Sequence, residues 1–104
     1  MIKTGGENVA SREVEETIYR LPAVSEVSVI GLPDLRWIEA VTAIVVLKQG
    51  ERLTEQDVIT HCARSLAGFK TPKRVFFAES LPKNASGKVL KRDLRQRYER
   101  IGAS

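Results

Sequence analysis

The segment Ala40-Val-Thr-Ala-Ile-Val-Val-Leu47 is almost continuously apolar and β-branched, the pattern of a strand near the middle of a sheet. The rest of the chain has to be arranged around it. Val27 and Val29 alternate with Glu26 and Ser28 at the period of a half-buried strand, and Gly31-Leu-Pro-Asp34 supplies turn chemistry between the two. No helix-length connection separates them, so they are expected to pair antiparallel. Arg74 to Ala78 reads as a further short strand.

Three helices follow from apolar residues at helical spacing. Val14, Ile18 and Leu21 form one face of the first, with Ser11 as its expected cap, Glu13 in its first turn and Pro22 as its stop. Thr54 with Asp57 resembles a capping box ahead of an inward stripe of Val58, Ile59, Cys62, Ala63 and Leu66. Leu90, Leu94, Tyr98 and Ile101 give the last helix its apolar side, with Lys91, Arg92, Arg95, Arg97 and Arg100 facing elsewhere. At 104 residues, a single domain over 1–104 is expected. It is an α+β fold: a small mixed or antiparallel sheet with about three helices packed on it, preceded by an N-terminal hairpin.

Composition narrows the function without choosing it. Seventeen Lys and Arg against thirteen Asp and Glu give a net charge of +4, which permits anionic partners such as nucleotides, coenzyme A or nucleic acid. One cysteine, Cys62, excludes an internal disulfide and a multi-cysteine metal site, so no metal site is expected and a reducing compartment is the default. No apolar run approaches the ~20 residues of a membrane span, and a cytoplasmic location is expected.

Two segments carry chemistry. Gly5-Gly6 sits between extended stretches, where positive φ or an unhindered approach to a ligand becomes possible; a plain hairpin turn is the commoner meaning of such a pair. In Leu81-Pro-Lys-Asn-Ala-Ser-Gly-Lys88, a rigid proline and a flexible turn present Lys88 just before a basic helix. An ammonium there can neutralise charge on a phosphate or carboxylate oxygen once a partner surface excludes water. The phosphate-binding pattern GxxxxGK[ST] does not fit, because its first glycine is missing and Val89 follows the lysine. His61 and Cys62 diverge by roughly 100° on their helix and have no third partner, so Cys62 is assigned to the apolar stripe and His61 to a solvated flank.

Ile2-Lys-Thr-Gly-Gly-Glu-Asn-Val9 with Glu13-Val-Glu15, Gly31-Leu-Pro-Asp34, Lys70-Thr-Pro-Lys73 and the Lys88 segment together closely resemble the C-terminal domain of the adenylate-forming superfamily, most of all its fatty acyl-CoA synthetase branch. The resemblance implies an acid-thiol ligase acting in two steps. ATP and a carboxylate give an acyl-adenylate and pyrophosphate, and the coenzyme A thiol then displaces AMP. It further implies that Lys88 is the lysine reaching the carboxylate and α-phosphate oxygens in the first step. For the second step the domain swings and Gly5, Gly6 and Glu7 help line the coenzyme A channel. Lys3, Arg36, Trp37, Lys70 and Lys73 are candidates for contacts with coenzyme A or the domain interface.

The implied partner is a large N-terminal adenylation domain that binds the acyl chain and, for the most part, Mg-bound ATP. The hinge of the swing would lie just upstream of Met1, so the chain is expected to be a fragment that is inactive alone. Many relatives have Trp-Gly-Glu where this chain has Trp37-Ile38-Glu39, so the local turn is expected to differ. Trp37 is expected over the sheet edge. Two other classes stay in view: a stand-alone module docking on a ligase or carrier protein, and a basic nucleic-acid-binding domain. Against the second, the basic residues do not interleave with stacking aromatics.

Overall fold

The computed structural model describes residues 1–102, with the side chains of residues 1–100. In chain order it comprises β1 (Ile2–Thr4), β2 (Glu7–Val9), α1 (Ser11–Tyr19), β3 (Val24–Asp34), β4 (Ile38–Leu47), α2 (Glu55–Ala63), a 3-10 turn (Gly68–Lys70), β5 (Arg74–Phe77) and α3 (Lys91–Gly102). The apolar run becomes β4, and it is the hub. Along one edge it pairs antiparallel with β3, from Val24↔Leu47 to Asp34↔Ile38. Its other edge is shared by β5, parallel over Thr42 to Val45, and by β1, antiparallel at Thr4↔Ile38. The parallel partner is reached through α2, the helical crossover that such pairing needs. The sheet is therefore mixed, with the order β2-β1-β4-β3 and β5 beside β4.

Alternation along β4 divides the core. Val41, Ala43 and Val45 pack with Val27, Val29, Val14, Ile18, Val58 and Cys62, under α1 and α2. Ile44 and Val46 pack with Ile30, Leu32, Leu81, Leu94 and Tyr98, under α3. Helices thus cover both faces of the sheet. This corrects the half-buried reading of β3, since Ser28, on the face expected to be wet, is 1% exposed beneath the second cluster's side. Phe76 of β5 and Tyr98 of α3 add a tilted ring contact at 5.0 Å. Ile101, the last member of the expected stripe, lies outside the residues whose side chains are described.

Local signals held in part. The Thr54 hydroxyl accepts the Asp57 N–H and the Asp57 carboxylate accepts the Thr54 N–H, a complete capping box. Ser11 does not cap α1: the cap position is Ala10, without a side-chain bond, and the Ser11 hydroxyl accepts instead from Lys91. Gly31 to Asp34 is not the turn but the end of β3. Pro33 is tolerated there because β3 is an edge strand, where a missing N–H leaves no neighbour unpaired. The turn falls at Leu35 to Trp37, closed by Asp34 Oδ1 accepting the N–H groups of Arg36 and Trp37 at 2.8 and 3.0 Å. On α2, Ala63 is exposed rather than inward.

Candidate functional site

Lys88 stands at the end of a loop that folds itself around Asn84. The Asn84 side-chain carbonyl accepts the Ser86 N–H at 3.0 Å, the Ser86 hydroxyl at 2.8 Å and the Lys88 N–H at 3.0 Å. Backbone bonds from Asn84 N–H to the Lys88 carbonyl and from Leu90 N–H to the Pro82 carbonyl close the base, with a bridge between Lys83 and Val89. Both ends are pinned. Leu81 is buried in the core, and Lys83 forms an ion pair with Glu26.

At the far end, the Lys91 ammonium uses all three donors: Ser11 Oγ at 3.0 Å, Glu15 Oε2 at 2.9 Å and the Val29 carbonyl at 3.0 Å. Glu15 also accepts the Val29 N–H at 2.8 Å, so α1, β3 and the start of α3 meet at one carboxylate. Lys91 therefore does not face solvent with the other cations of α3, as its place in the sequence suggested. The Lys88 amine is exposed and makes no hydrogen bond or ion pair to a described residue. It borders an open cleft of about 660 Å³ lined also by Glu15, Tyr19, Val27, Asn84 and Arg92. A backbone held in place with a free cationic tip suits a group that must reach a charge brought from elsewhere.

Gly5 and Gly6 form the two-residue turn between β1 and β2, with φ of +56° and +87°. Both angles are positive, the conformation that a tight hairpin of this length demands and that glycine adopts without strain. The hairpin leans on the β3–β4 turn. Gly5 N–H donates to the Trp37 carbonyl at 2.7 Å, and a side chain at Gly5 would meet the Trp37 ring at 3.4 Å. Trp37 thus packs against the hairpin at the end of the sheet. Arg36 and Lys73 lie against its ring at 5.2 and 4.8 Å, close enough for cation–π attraction. Ile38, standing where many relatives have glycine, has φ +71°, the left-handed conformation that glycine would favour. The backbone of this turn is thus one that glycine adopts without strain, held here by an isoleucine.

The candidates therefore fall into two groups. Gly5, Gly6, Arg36, Trp37 and Lys73 gather at one end of the β3–β4 pair, and Glu7 and Lys3 lie exposed on the adjoining hairpin strands. Lys70 is drawn aside into an ion pair with Glu13 at 2.9 Å. Lys88 is elsewhere, on the cleft that it lines together with Val27 and Ser28; six residues of strand from there to Asp34 span on the order of 20 Å. Asn84, Lys91 and Glu15 support the Lys88 loop and were given no such role from the sequence. Only Asn84 carried a usable signal, as an Asx residue two positions ahead of Ser86.

The neighbours His61 and Cys62 take no part. His61 Nε2 lies 2.7 Å from the Thr17 carbonyl, which can only accept, so it donates and ties α2 to α1 rather than facing solvent. Burial pushes the Cys62 thiol up to about 11. Among the described residues no three His, Cys, Asp or Glu side chains gather as a metal site, and no helix is long and apolar enough to cross a membrane.

Known proteins match this chain closely. The family model described as "AMP-binding enzyme C-terminal domain" matches residues 13–88. The chain is 51% identical over 98 residues to the long-chain-fatty-acid–CoA ligase FadD13 of Mycobacterium tuberculosis, covering 94% of this chain and 19% of that one. It is 42% identical over 102 residues to the peroxisomal trans-cinnamate:CoA ligase of Petunia hybrida, covering 98% and 18%. Among solved structures, a fatty acyl CoA synthetase of Mycobacterium tuberculosis superposes with a TM-score of 0.91 at 50% identity, over 97% of this chain and 20% of the other. ATP-bound MatB from Rhodopseudomonas palustris gives 0.92 at 42%, over 95% and 20%. The chain spans about a fifth of the length of these relatives. With the family model covering most of its length, the chain belongs to the AMP-binding enzyme C-terminal domain family.

Proposed function

We propose that this chain is the mobile C-terminal domain of an ATP-dependent fatty acyl-CoA ligase, working in the cytoplasm against a large N-terminal adenylation domain of the same polypeptide. The reaction joins a fatty acid to coenzyme A through an acyl-adenylate, with release of pyrophosphate and then AMP. Lys88 is the residue assigned to the first half. As carboxylate and α-phosphate oxygens are forced together, its ammonium offsets the charge between them, and the effect is large because the closed interface is dry. Mg-bound ATP and the acyl chain are held mainly by the large domain.

Gly5, Gly6 and Glu7 are assigned to the second half, where the domain has turned and the hairpin lines the path of the coenzyme A thiol. Without side chains at the tip, the path stays open. Arg36 and Lys73, gathered on Trp37, are assigned to coenzyme A phosphates, with Lys3 on the neighbouring strand; Lys70 is spoken for by Glu13.

One observation carries this reading: the two candidate groups lie on the order of 20 Å apart along β3, so one active centre can use both only in turn. The experiment is to supply ATP, fatty acids and coenzyme A to the full-length polypeptide and, separately, to these 104 residues. AMP and thioester are expected from the first and neither from the second. Turnover by the domain alone, or none by the full-length polypeptide, would overturn the proposal.

A further inference from the structure

The glycine hairpin has few backbone ties to the sheet. Among the described residues β1 pairs with β4 only at Thr4↔Ile38, supplemented by the Gly5 to Trp37 bond. Ile2, Thr4 and Val9 bury the root of the ribbon against the core, so these few bonds bear on where its tip stands. One further bond crosses the gap: Lys3 N–H donates to Glu39 Oε1 at 2.8 Å. The acceptor is a carboxylate, which makes the bond a strong one.

Glu39 reaches that position because of Gly31. The glycine sits in β3 with ordinary extended backbone, so its conformational freedom is not used there. What matters is the room it leaves. A Cβ on Gly31 would come within 2.9 Å of Glu39 Oε2, 3.0 Å of Glu39 Cδ and 3.0 Å of Ile2 Cγ2. The carboxylate lies across the bare glycine, and the β1 residue ahead of Lys3 packs into the same space.

We infer that Glu39 is a positioning residue for the coenzyme A half-reaction, a latch from β4 to β1 whose seat is Gly31. This rests on the hairpin's role in the proposed function. Glu39 touches no substrate; it acts by fixing where the hairpin tip stands.

The test uses three variants of the full-length polypeptide: Glu39→Ala, Gly31→Ala and Glu39→Gln. Acyl-adenylate formation and the conversion of preformed acyl-adenylate are timed separately, with KM for coenzyme A, and amide exchange is followed at Lys3. Removing the acceptor, or filling its seat, should slow thioester formation roughly tenfold to hundredfold by misplacing the hairpin. Adenylation should stay within about threefold, because it does not use the tip. Glu39→Gln keeps an acceptor oxygen and should restore most of the rate. The Lys3 amide should exchange at least about tenfold faster in both alanine variants, since its local opening becomes easier.

Equal loss in both half-reactions, or unchanged Lys3 exchange, would overturn the latch. If the unmodified polypeptide made neither product, the proposed function would fail instead, and exchange at Lys3 would still decide the latch. Glu39→Ala, at a half-buried side chain, keeps the test open should Gly31→Ala not fold.

Discussion

The Lys88 loop and the glycine hairpin solve opposite problems. In the loop, everything except the group assigned to adenylation is tied down: Asn84 gathers the backbone, Leu81 and Lys91 anchor the two ends, and the amine is left free. In the hairpin the part assigned to the coenzyme A channel is the backbone itself, and ties run directly to it from Trp37 and Glu39. A long flexible cation needs a fixed root and freedom at the tip; a channel wall needs its whole surface fixed and nothing projecting. The two regions should therefore fail differently.

The largest expected effect separates them most cleanly. In the full-length polypeptide, Lys88→Ala should slow adenylation by about 10²–10³-fold, the usual loss when one stabilising donor is removed from a developing charge. Conversion of preformed acyl-adenylate should stay within about threefold. Equal losses in rapid-quench measurements of the two steps would erase the contrast. The mirror experiment is Gly6→Val. Nothing lies within 4 Å of a Cβ placed on Gly6, so an added group starts into open space rather than into the domain. Thioester formation should fall by roughly two orders of magnitude while adenylation persists. Stability should drop by about 1–2 kcal/mol, because a β-branched residue is forced to positive φ.

Asn84→Ala sharpens the comparison at lower amplitude. Three bonds to one carbonyl oxygen are lost from an exposed loop, so the melting temperature should move little, while the Lys88 root loosens. Adenylation should fall about tenfold, with Asn84→Asp recovering much of it. A full adenylation rate in Asn84→Ala would mean that the loop ends alone are enough to place Lys88.

What could be read in advance was what neighbours in sequence decide. The strand at Ala40 to Leu47, the Thr54–Asp57 capping box and the Gly5-Gly6 turn all depend on side chains within a few residues of one another, and all three formed. The Gly31 to Asp34 turn did not, because proline and glycine are also acceptable on an edge strand, and nothing local says that β3 is one. Lys91 was misplaced for a stronger reason. Its partners Ser11, Glu15 and Val29 are 80, 76 and 62 residues away, and only the packing of α3 beside β3 brings them together. Glu39 was hidden likewise, since a carboxylate just past an exposed turn reads as surface until the glycine beneath it is seen.

The smallest effect concerns Ile38, at the joint between hairpin and sheet. A β-branched residue at φ +71° carries strain of roughly 1–2 kcal/mol, and at 66% exposure its side chain recovers little of that by burial. Glycine removes the strain but restores about 0.5–1 kcal/mol of unfolded-state entropy that isoleucine suppresses. The balance favours Ile38→Gly by somewhat under ~1 kcal/mol, a rise of a few degrees in the melting temperature of a domain this size. The Gly5 to Trp37 bond next to it should survive, because the backbone angle is the one glycine prefers. An unchanged or lowered melting temperature would mean that the isoleucine side chain holds the hairpin in place by contact. The joint would then belong with the Lys88 loop, as a region fixed by its side chains, and not with the hairpin, whose backbone is fixed directly.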